Sequence, residues 1–213
     1  MKAEIAMENW EGGPGGALIN ASNIETIELE YRDAVKLVVE SLRLYPKLRL
    51  LDLYFGKNPL LPFFFKASPL SYFGFETANK LVEKSKADYQ YYIRQRKAVF
   101  DDFDGLHIPY VMNFFHRVIS ISPRIDPYLI EAYLQEAYRV MAPGGVMVFT
   151  FKIKNYEQAL QLIQRARLSP FRIDDLKILN MNLEDPLLVN HKSVFFVLTK
   201  AVVKKIPDEG SQQ

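Results

Sequence analysis

The chain has 213 residues, 49% hydrophobic and 24% charged, which is enough apolar material for one domain with a buried core and too little length for two of ordinary size. A formal net charge of +2 sets up no strong field, so neither a nucleic-acid footprint nor an anionic-membrane footprint is written into it. The absence of cysteine excludes disulfides, thiolate metal sites and cysteine nucleophiles. His107, His116 and His191 have no paired spacing, so no metal site is expected.

Residues 1–25 hold Gly12-Gly13-Pro14-Gly15-Gly16, which disfavours any regular element and reads as a flexible lead-in, with Trp10 anchoring it to the domain. Tyr31, Ala34, Val35, Val38, Leu42 and Tyr45 then recur every three or four residues, the pattern of a helix that Pro46 stops. Residues 48–53, with Leu50, Leu51 and Leu53, read as a short apolar strand closed by Gly56 and Asn58-Pro59. The run 60–65 would begin a helix, in which Pro59 and Pro62 are acceptable only near the first turn.

Further strands are expected over 72–75, 98–103 and 118–121, with a polar helical stretch from Thr77 to Val82 between the first two. Leu129, Ala132, Tyr133, Ala137, Val140 and Met141 mark one face of a helix that ends at Pro143-Gly144-Gly145. Residues 146–151 are the strongest strand signal in the chain. Ala159, Leu162, Ile163 and Ala166 mark another helix, and 171–179 and 192–199 read as closing strands. The alternation of helices and strands predicts one α/β domain over 26–203, with a mainly parallel sheet covered on both faces, followed by a polar tail over 204–213. No apolar run approaches the roughly 18 to 20 residues of a spanning helix and no secretory signal is evident, so the chain reads as cytoplasmic.

Two stretches are more particular. Arg139-Val140-Met141-Ala142-Pro143-Gly144-Gly145 precedes the strand at 146, and Asp104, Ile108-Pro109-Tyr110 and Phe115 precede the strand at 118. They resemble the "R-V-L-x-P-G-G" turn and the "D-x-x-x-L-P-F … F-D-x-V" segment of class I S-adenosylmethionine-dependent methyltransferases of the small-molecule type. The resemblance implies a single-domain, three-layer α/β/α sandwich with a mainly parallel seven-stranded sheet and an antiparallel last strand.

It also implies S-adenosylmethionine as cofactor. Asp104 then corresponds to the aspartate that accepts the adenine amino group, and Glu76 to the acid that holds the ribose hydroxyls. Glu76 follows Asp52 by 24 residues, the spacing of a strand-loop-helix-strand unit that reaches a ribose, and a carboxylate can accept both bonds of a vicinal diol. Asp52, Tyr54, Gly56 and Asn58 fall on the family's first-strand loop, and Thr77 and Ser120 complete the expected cofactor contacts. Tyr31 and Ser122 are candidate substrate or cofactor contacts. Two structural roles stay open: Asp104 as a solvated loop aspartate beside Asp101 and Asp102, and Glu76 as a carboxylate at a helix N-terminus.

The first-strand loop departs from the family's Asp/Glu-x-Gly-x-Gly-x-Gly. Here it reads Asp52-Leu53-Tyr54-Phe55-Gly56-Lys57-Asn58, keeping only the second glycine, with asparagine, which tolerates left-handed angles, at the third. Lys57 is expected to face solvent, and Phe63, Phe64 and Phe65 to be core or interface. His116 replaces the usual acid of the fourth strand and reads as structural.

No Asn-Pro-Pro-Tyr signature is present, so a base-methylating DNA enzyme is disfavoured, and the near-neutral charge with no binding motif favours a small molecule over a nucleic acid. The expected function is methyl transfer to a small-molecule acceptor, by displacement in which positioning supplies most of the acceleration and no catalytic side chain stands out. The alternative is a catalytically inactive, methyltransferase-like binding or scaffolding subunit with a protein partner or as a homodimer. An open cleft beside Gly56 discriminates the two. A nicotinamide-dependent dehydrogenase would share the sheet, but the chain lacks Gly-x-Gly-x-x-Gly.

Overall fold

The computed structural model describes residues 24–57, 59–182 and 191–202. The lead-in with Trp10 and the glycine cluster, the tail over 204–213 and Asn58 therefore lie outside the described residues, as do the side chains of Tyr31 and His191.

Strands buried on both faces carry continuous apolar runs, and β2 (Arg49–Leu53) is such a strand, with every residue after Arg49 buried. It pairs in parallel with β3 (Ser71–Glu76) on one side and β5 (Phe115–Ile121) on the other. With β4 (Ala98–Asp102), β6 (Met141–Ile153), β7 (Arg172–Asn182) and β8 (His191–Thr199), the sheet order is β1-β7-β8-β6-β5-β2-β3-β4. β8 is antiparallel to both β6 and β7, and the other pairings are parallel. Strand order reverses between β3 and β5 around β2, so the crevice where open α/β sheets bind ligands lies at the carboxyl ends of β2 and β5.

The seven expected strands are present, and an eighth corrects the count: β1 (Glu25–Glu30) adds to the edge beside β7. Its Glu25, Glu28 and Glu30 hid it from a reading by hydrophobicity, yet an edge strand with one wet face tolerates charges well.

Helices α1 (Tyr31–Ser41), α2 (Leu61–Ala67), α3 (Asn79–Asp88) and α4 (Gln90–Arg94) cover one face; α5 (Ile130–Val140) and α6 (Tyr156–Leu168) cover the other. Pro62 sits in the first turn of α2, where its missing N–H costs nothing. In α6, Ala159, Leu162, Ile163 and Ala166 are all buried, and the Asn155 side chain caps the helix by accepting from Gln158 N at 2.9 Å. The buried face of α5 meets expectation at Tyr133, Ala137, Val140 and Met141 and adds Ile130 and Leu134, whereas Leu129 and Ala132 are exposed. The apolar signal was ambiguous because both neighbouring stripes are hydrophobic.

α1 ends at Ser41 rather than near Pro46, because Arg43 already takes a left-handed conformation (φ 48°). The Phe63–65 run divides. Phe64 is fully buried, Phe65 stacks on Tyr92 at 4.7 Å, and Phe63 is exposed. After α5, Gly144 turns with φ 75° and donates its N–H to Lys200 O at 2.9 Å. A Cβ on Gly145 would come within 2.4 Å of Met141 Cγ and 2.7 Å of Ala142 O, so this turn admits only glycine there.

Candidate cofactor and substrate cleft

At the end of β2 the chain passes Asp52 and then turns with two left-handed residues, Tyr54 (φ 58°) and Gly56 (φ 69°). A tyrosine held there costs about 1 kcal/mol that a glycine would not. Its ring is buried and packs edge-on against Phe103, with centroids 5.2 Å apart, and against Tyr133. The hydroxyl donates to Gly105 O at 2.9 Å. A Cβ placed on Gly105 would meet that hydroxyl at 2.7 Å and Thr77 Cγ2 at 3.3 Å. Tyr54 therefore reaches in between the loops that carry Glu76 and Asp104. Burial, followed by the charges of Glu76 and Asp104, pushes its phenol up to about 12, so it stays a neutral donor.

Glu76 closes β3 and is 2% exposed. Its Oε2 accepts from Gly56 N at 3.1 Å, and its Oε1 accepts from Thr77 N at 2.8 Å, Thr77 Oγ1 at 3.2 Å and Ala78 N at 3.4 Å. One carboxylate thus ties the surviving glycine to the turn that opens α3. Thr77 itself is exposed.

Asp104 is exposed and serves its own loop. Oδ1 accepts from Leu106 N at 2.8 Å and His107 N at 2.7 Å, and Oδ2 meets His107 Nδ1 at 2.7 Å. The His107 ring first, and then the two backbone N–H groups, hold its carboxyl at about 2, while Asp104 in turn raises His107. Arg139 explains why the two motif stretches occur together. Its guanidinium donates to Ile108 O, Tyr110 O and both oxygens of Glu136, and Glu136 accepts Ile108 N at 2.9 Å. The Arg-Val-Met-Ala-Pro-Gly-Gly helix end and the Ile-Pro-Tyr loop are two halves of one clamp.

Asp52 points to the face of the sheet that α1 covers, which it shares by strand parity with Tyr72 and Glu76 of β3. It is 4% exposed, and its Oδ2 accepts from Tyr72 OH at 2.6 Å. Burial pushes its carboxyl up to about 7, with the Tyr72 bond opposing and the Glu76 charge adding to the rise. Asp52 borders a cavity of ≈ 330 Å³ beneath α1, walled by Ala34, Val35, Val38, Phe55 and Leu179. Ile121, Thr150 and Ser193 join it from β5, β6 and β8, with Gly56 and Lys57 at the loop; Lys57 is exposed, as expected. Ser122 is also in the wall, in a left-handed conformation (φ 50°), its N–H shared between Thr150 O at 3.1 Å and Thr150 Oγ1 at 3.0 Å.

The structure thus brings Asp52, Tyr54, Gly56 and Ser122 to this cavity, and Glu76, Thr77 and Asp104 to the strand ends beyond Tyr54. Ser120 joins neither group: it is fully buried and its Oγ accepts from Tyr133 OH at 2.7 Å. His116 accepts from Arg49 N at 3.0 Å, and burial together with Arg49 and Arg117 lowers its pKa, a structural role. Tyr72, Thr150 and Ser193 were not anticipated. Their signal was strand parity, since alternate residues share a face: Ile121 is paired with Thr150 and Ser193 with Leu179. Among the described residues no group of three His, Asp or Glu is placed to hold a metal, and no helix is long and apolar enough to cross a membrane.

No protein-family model matches the sequence, and no curated protein matches it significantly. Solved structures do. The cyclase SpnF superposes with a TM-score of 0.68 at 16% identity, covering 80% of this chain and 81% of that one. A SAM-dependent methyltransferase from Aquifex aeolicus gives 0.58 at 12% identity, covering 78% and 89%. The geranyl diphosphate C-methyltransferase of Streptomyces coelicolor, solved with Mg2+, geranyl diphosphate and S-adenosyl-L-homocysteine, gives 0.65 at 10%, covering 80% of each chain. The fold is that of the class I methyltransferases. At these identities the likeness fixes the class I architecture, and the cyclase shows that one architecture carries more than one reaction.

Proposed function

We propose that the protein is an S-adenosylmethionine-dependent methyltransferase acting on a small molecule. The observation that carries this reading is the junction of Glu76 with Gly56, which sets a buried carboxylate against the one glycine retained in the first-strand loop. Oε2 carries a single internal bond, so it keeps a lone pair for a ribose hydroxyl. Asp104 Oδ2 is reachable from solvent and suits an adenine amino group. When bound, S-adenosylmethionine would supply an electrophilic methyl carbon; Glu76 and Asp104 would fix its nucleoside, and the chain's contribution is to hold the reactants in line. Tyr54 lies between those two carboxylates, so nucleoside binding requires its ring to move and its bond to Gly105 to break, at about 1 kcal/mol for the bond.

That same residue favours a second reading. A side chain packed into the position between the two loops, and a Glu76 largely answered by its own backbone, suit a binding subunit that no longer takes the cofactor. Calorimetric titration with S-adenosylmethionine and S-adenosylhomocysteine separates the two. Micromolar binding lost in Glu76→Ala supports the enzyme, whereas no heat at millimolar ligand favours the binding subunit.

A further inference from the structure

The cavity beneath α1 is lined by Asp52, Tyr54 and Gly56 of the first-strand loop, and Glu76 adjoins it through the Gly56 N–H. We infer that it binds a small, largely apolar molecule of one or two rings carrying a single hydroxyl or protonated amine, received by Asp52 with Ser193 as the second polar contact. The volume of ≈ 330 Å³ falls at the lower end of the range of about 300 to 1,000 Å³ that encloses small ligands. Its walls come from α1, with Val35 and Val38, and from Phe55, Ile121 and Leu179. These surfaces favour an apolar body.

The polar groups then fix the ligand's chemistry. Asp52 and Ser193 are each 4% exposed and line the cavity. Only Oδ2 of Asp52 is engaged, by Tyr72, and neither Asp52 Oδ1 nor the Ser193 hydroxyl has a hydrogen-bond partner among the described residues. Ser68 Oγ is the one buried side-chain N or O atom without a partner among the described residues, so Asp52 Oδ1 and Ser193 Oγ open onto the cavity. An acceptor facing apolar walls favours a ligand that brings a donor. A carboxylate on the floor, with Lys57 kept at the exposed rim, rejects ligands whose buried end is an anion. Thr150 Oγ1 accepts the Ser122 N–H and keeps its own O–H to donate, so the hydroxyls of Thr150 and Ser122 at the wall can add to the contacts that Asp52 and Ser193 make with the guest.

Calling this guest the methyl acceptor rests on the methyltransferase reading; its binding does not. The test uses the full chain without cofactor and 1-naphthol as a fluorescent probe, with 1-methoxynaphthalene as the same body lacking the donor. At about pH 8.5, where the Asp52 carboxyl with its pKa of about 7 is ionised, the expected result is micromolar affinity for naphthol and at least about tenfold weaker affinity for the ether, the worth of one charge-assisted bond.

Asp52→Asn keeps an oxygen for Tyr72 and turns its amide N–H toward the cavity, so the preference for naphthol should collapse to within about twofold. Val35→Phe should weaken both probes about tenfold by filling the space, and Ser193→Ala, a smaller change should Val35→Phe fail to fold, should weaken naphthol about threefold. Equal affinity for naphthol and ether, no binding at about 1 mM, or affinities indifferent to Asp52→Asn and Ser193→Ala would overturn the inference. A parallel titration with S-adenosylhomocysteine keeps the two readings apart. Failure of that ligand removes the cofactor and leaves the naphthol site standing, whereas mutual exclusion of naphthol and S-adenosylhomocysteine would give the cavity to the cofactor's methionyl end and overturn its assignment to an acceptor.

Discussion

The two groups of residues around the first-strand loop, one about Glu76 and Asp104 and one about Asp52, are made of similar residue types and behave oppositely. Over β3 and β4, Glu76 accepts from Gly56, Thr77 and Ala78, Asp104 accepts from its own loop, and Tyr54 fills the gap between them. Beneath α1, Asp52 keeps one oxygen turned toward open space in an apolar wall. The first group is stabilised by being closed and must reorganise to bind anything. The second is pre-formed and carries the cost of a buried carboxylate while it is empty. A local carboxylate is therefore no measure of a binding site; what matters is whether its lone pairs are already used.

The largest expected effect breaks this contrast at Asp52. Its folded pKa of about 7 lies above the ordinary 3.8, so the native state holds the proton more tightly. The stability this gives is fully present below pH 4 and is lost as pH rises through 7. With burial as the main cause, and Tyr72 and Glu76 as the facing groups, the loss is of the order of 4 kcal/mol. Asp52→Asn should be flat across that window, so urea denaturation should show it gaining on the natural protein between pH 4 and pH 8. Parallel profiles for the two proteins would refute the buried-carboxylate account.

Next in size is Glu76→Ala, which strips the Gly56 and Thr77 amides of their acceptor inside the fold and should destabilise by about 3 kcal/mol. A denaturation midpoint unchanged by that substitution would mean the closed group is not held by its carboxylate. Tyr54→Gly should sharpen the comparison from the ligand's side. It removes the ring and suits the left-handed turn, so S-adenosylhomocysteine should bind about fivefold more tightly by calorimetry, roughly the worth of the displaced bond; weaker binding would show that Tyr54 helps to hold the ligand. The smallest change in stability is expected for Asp104→Asn. Its exposed carboxylate organises only the turn to His107, so the melting temperature at pH 7 should scarcely move, and a large drop would place Asp104 in the fold's support.

Much of the fold was legible because the code for it is local and repetitive. The Leu-rich β2 run and the helical spacing of Ala159 to Ala166 each show within a few residues, whereas α5 ends at Val140 and the Pro-Gly-Gly expected to stop it lies within β6. β1 was missed because its glutamates suit an edge and imitate a loop, and the inward face of α5 was read correctly at Tyr133, Ala137, Val140 and Met141 but extended too far, to Leu129 and Ala132, which are exposed. The candidate residues were legible by type and spacing, as with Glu76 and Gly56, which the structure joins at 3.1 Å. Their state was not legible: nothing near Asp104 in sequence says that its own loop will engage both oxygens while leaving Oδ2 open to solvent, and Ser120 gave no sign that Tyr133 would claim it.

By itself the sequence determined an α/β chain with a parallel core, the order of its elements and the loops at which chemistry could gather, since periodicity and turn residues act over short stretches. Only the tertiary structure decided that Tyr54 would reach Gly105, 51 residues away in sequence, that Tyr72 would bind Asp52 across 20, and that Arg139 would clamp the Ile108 loop across 31. These outcomes depend on how twisted strands bring distant side chains to one edge of the sheet, and on which lone pairs are left once packing has chosen among the possible partners.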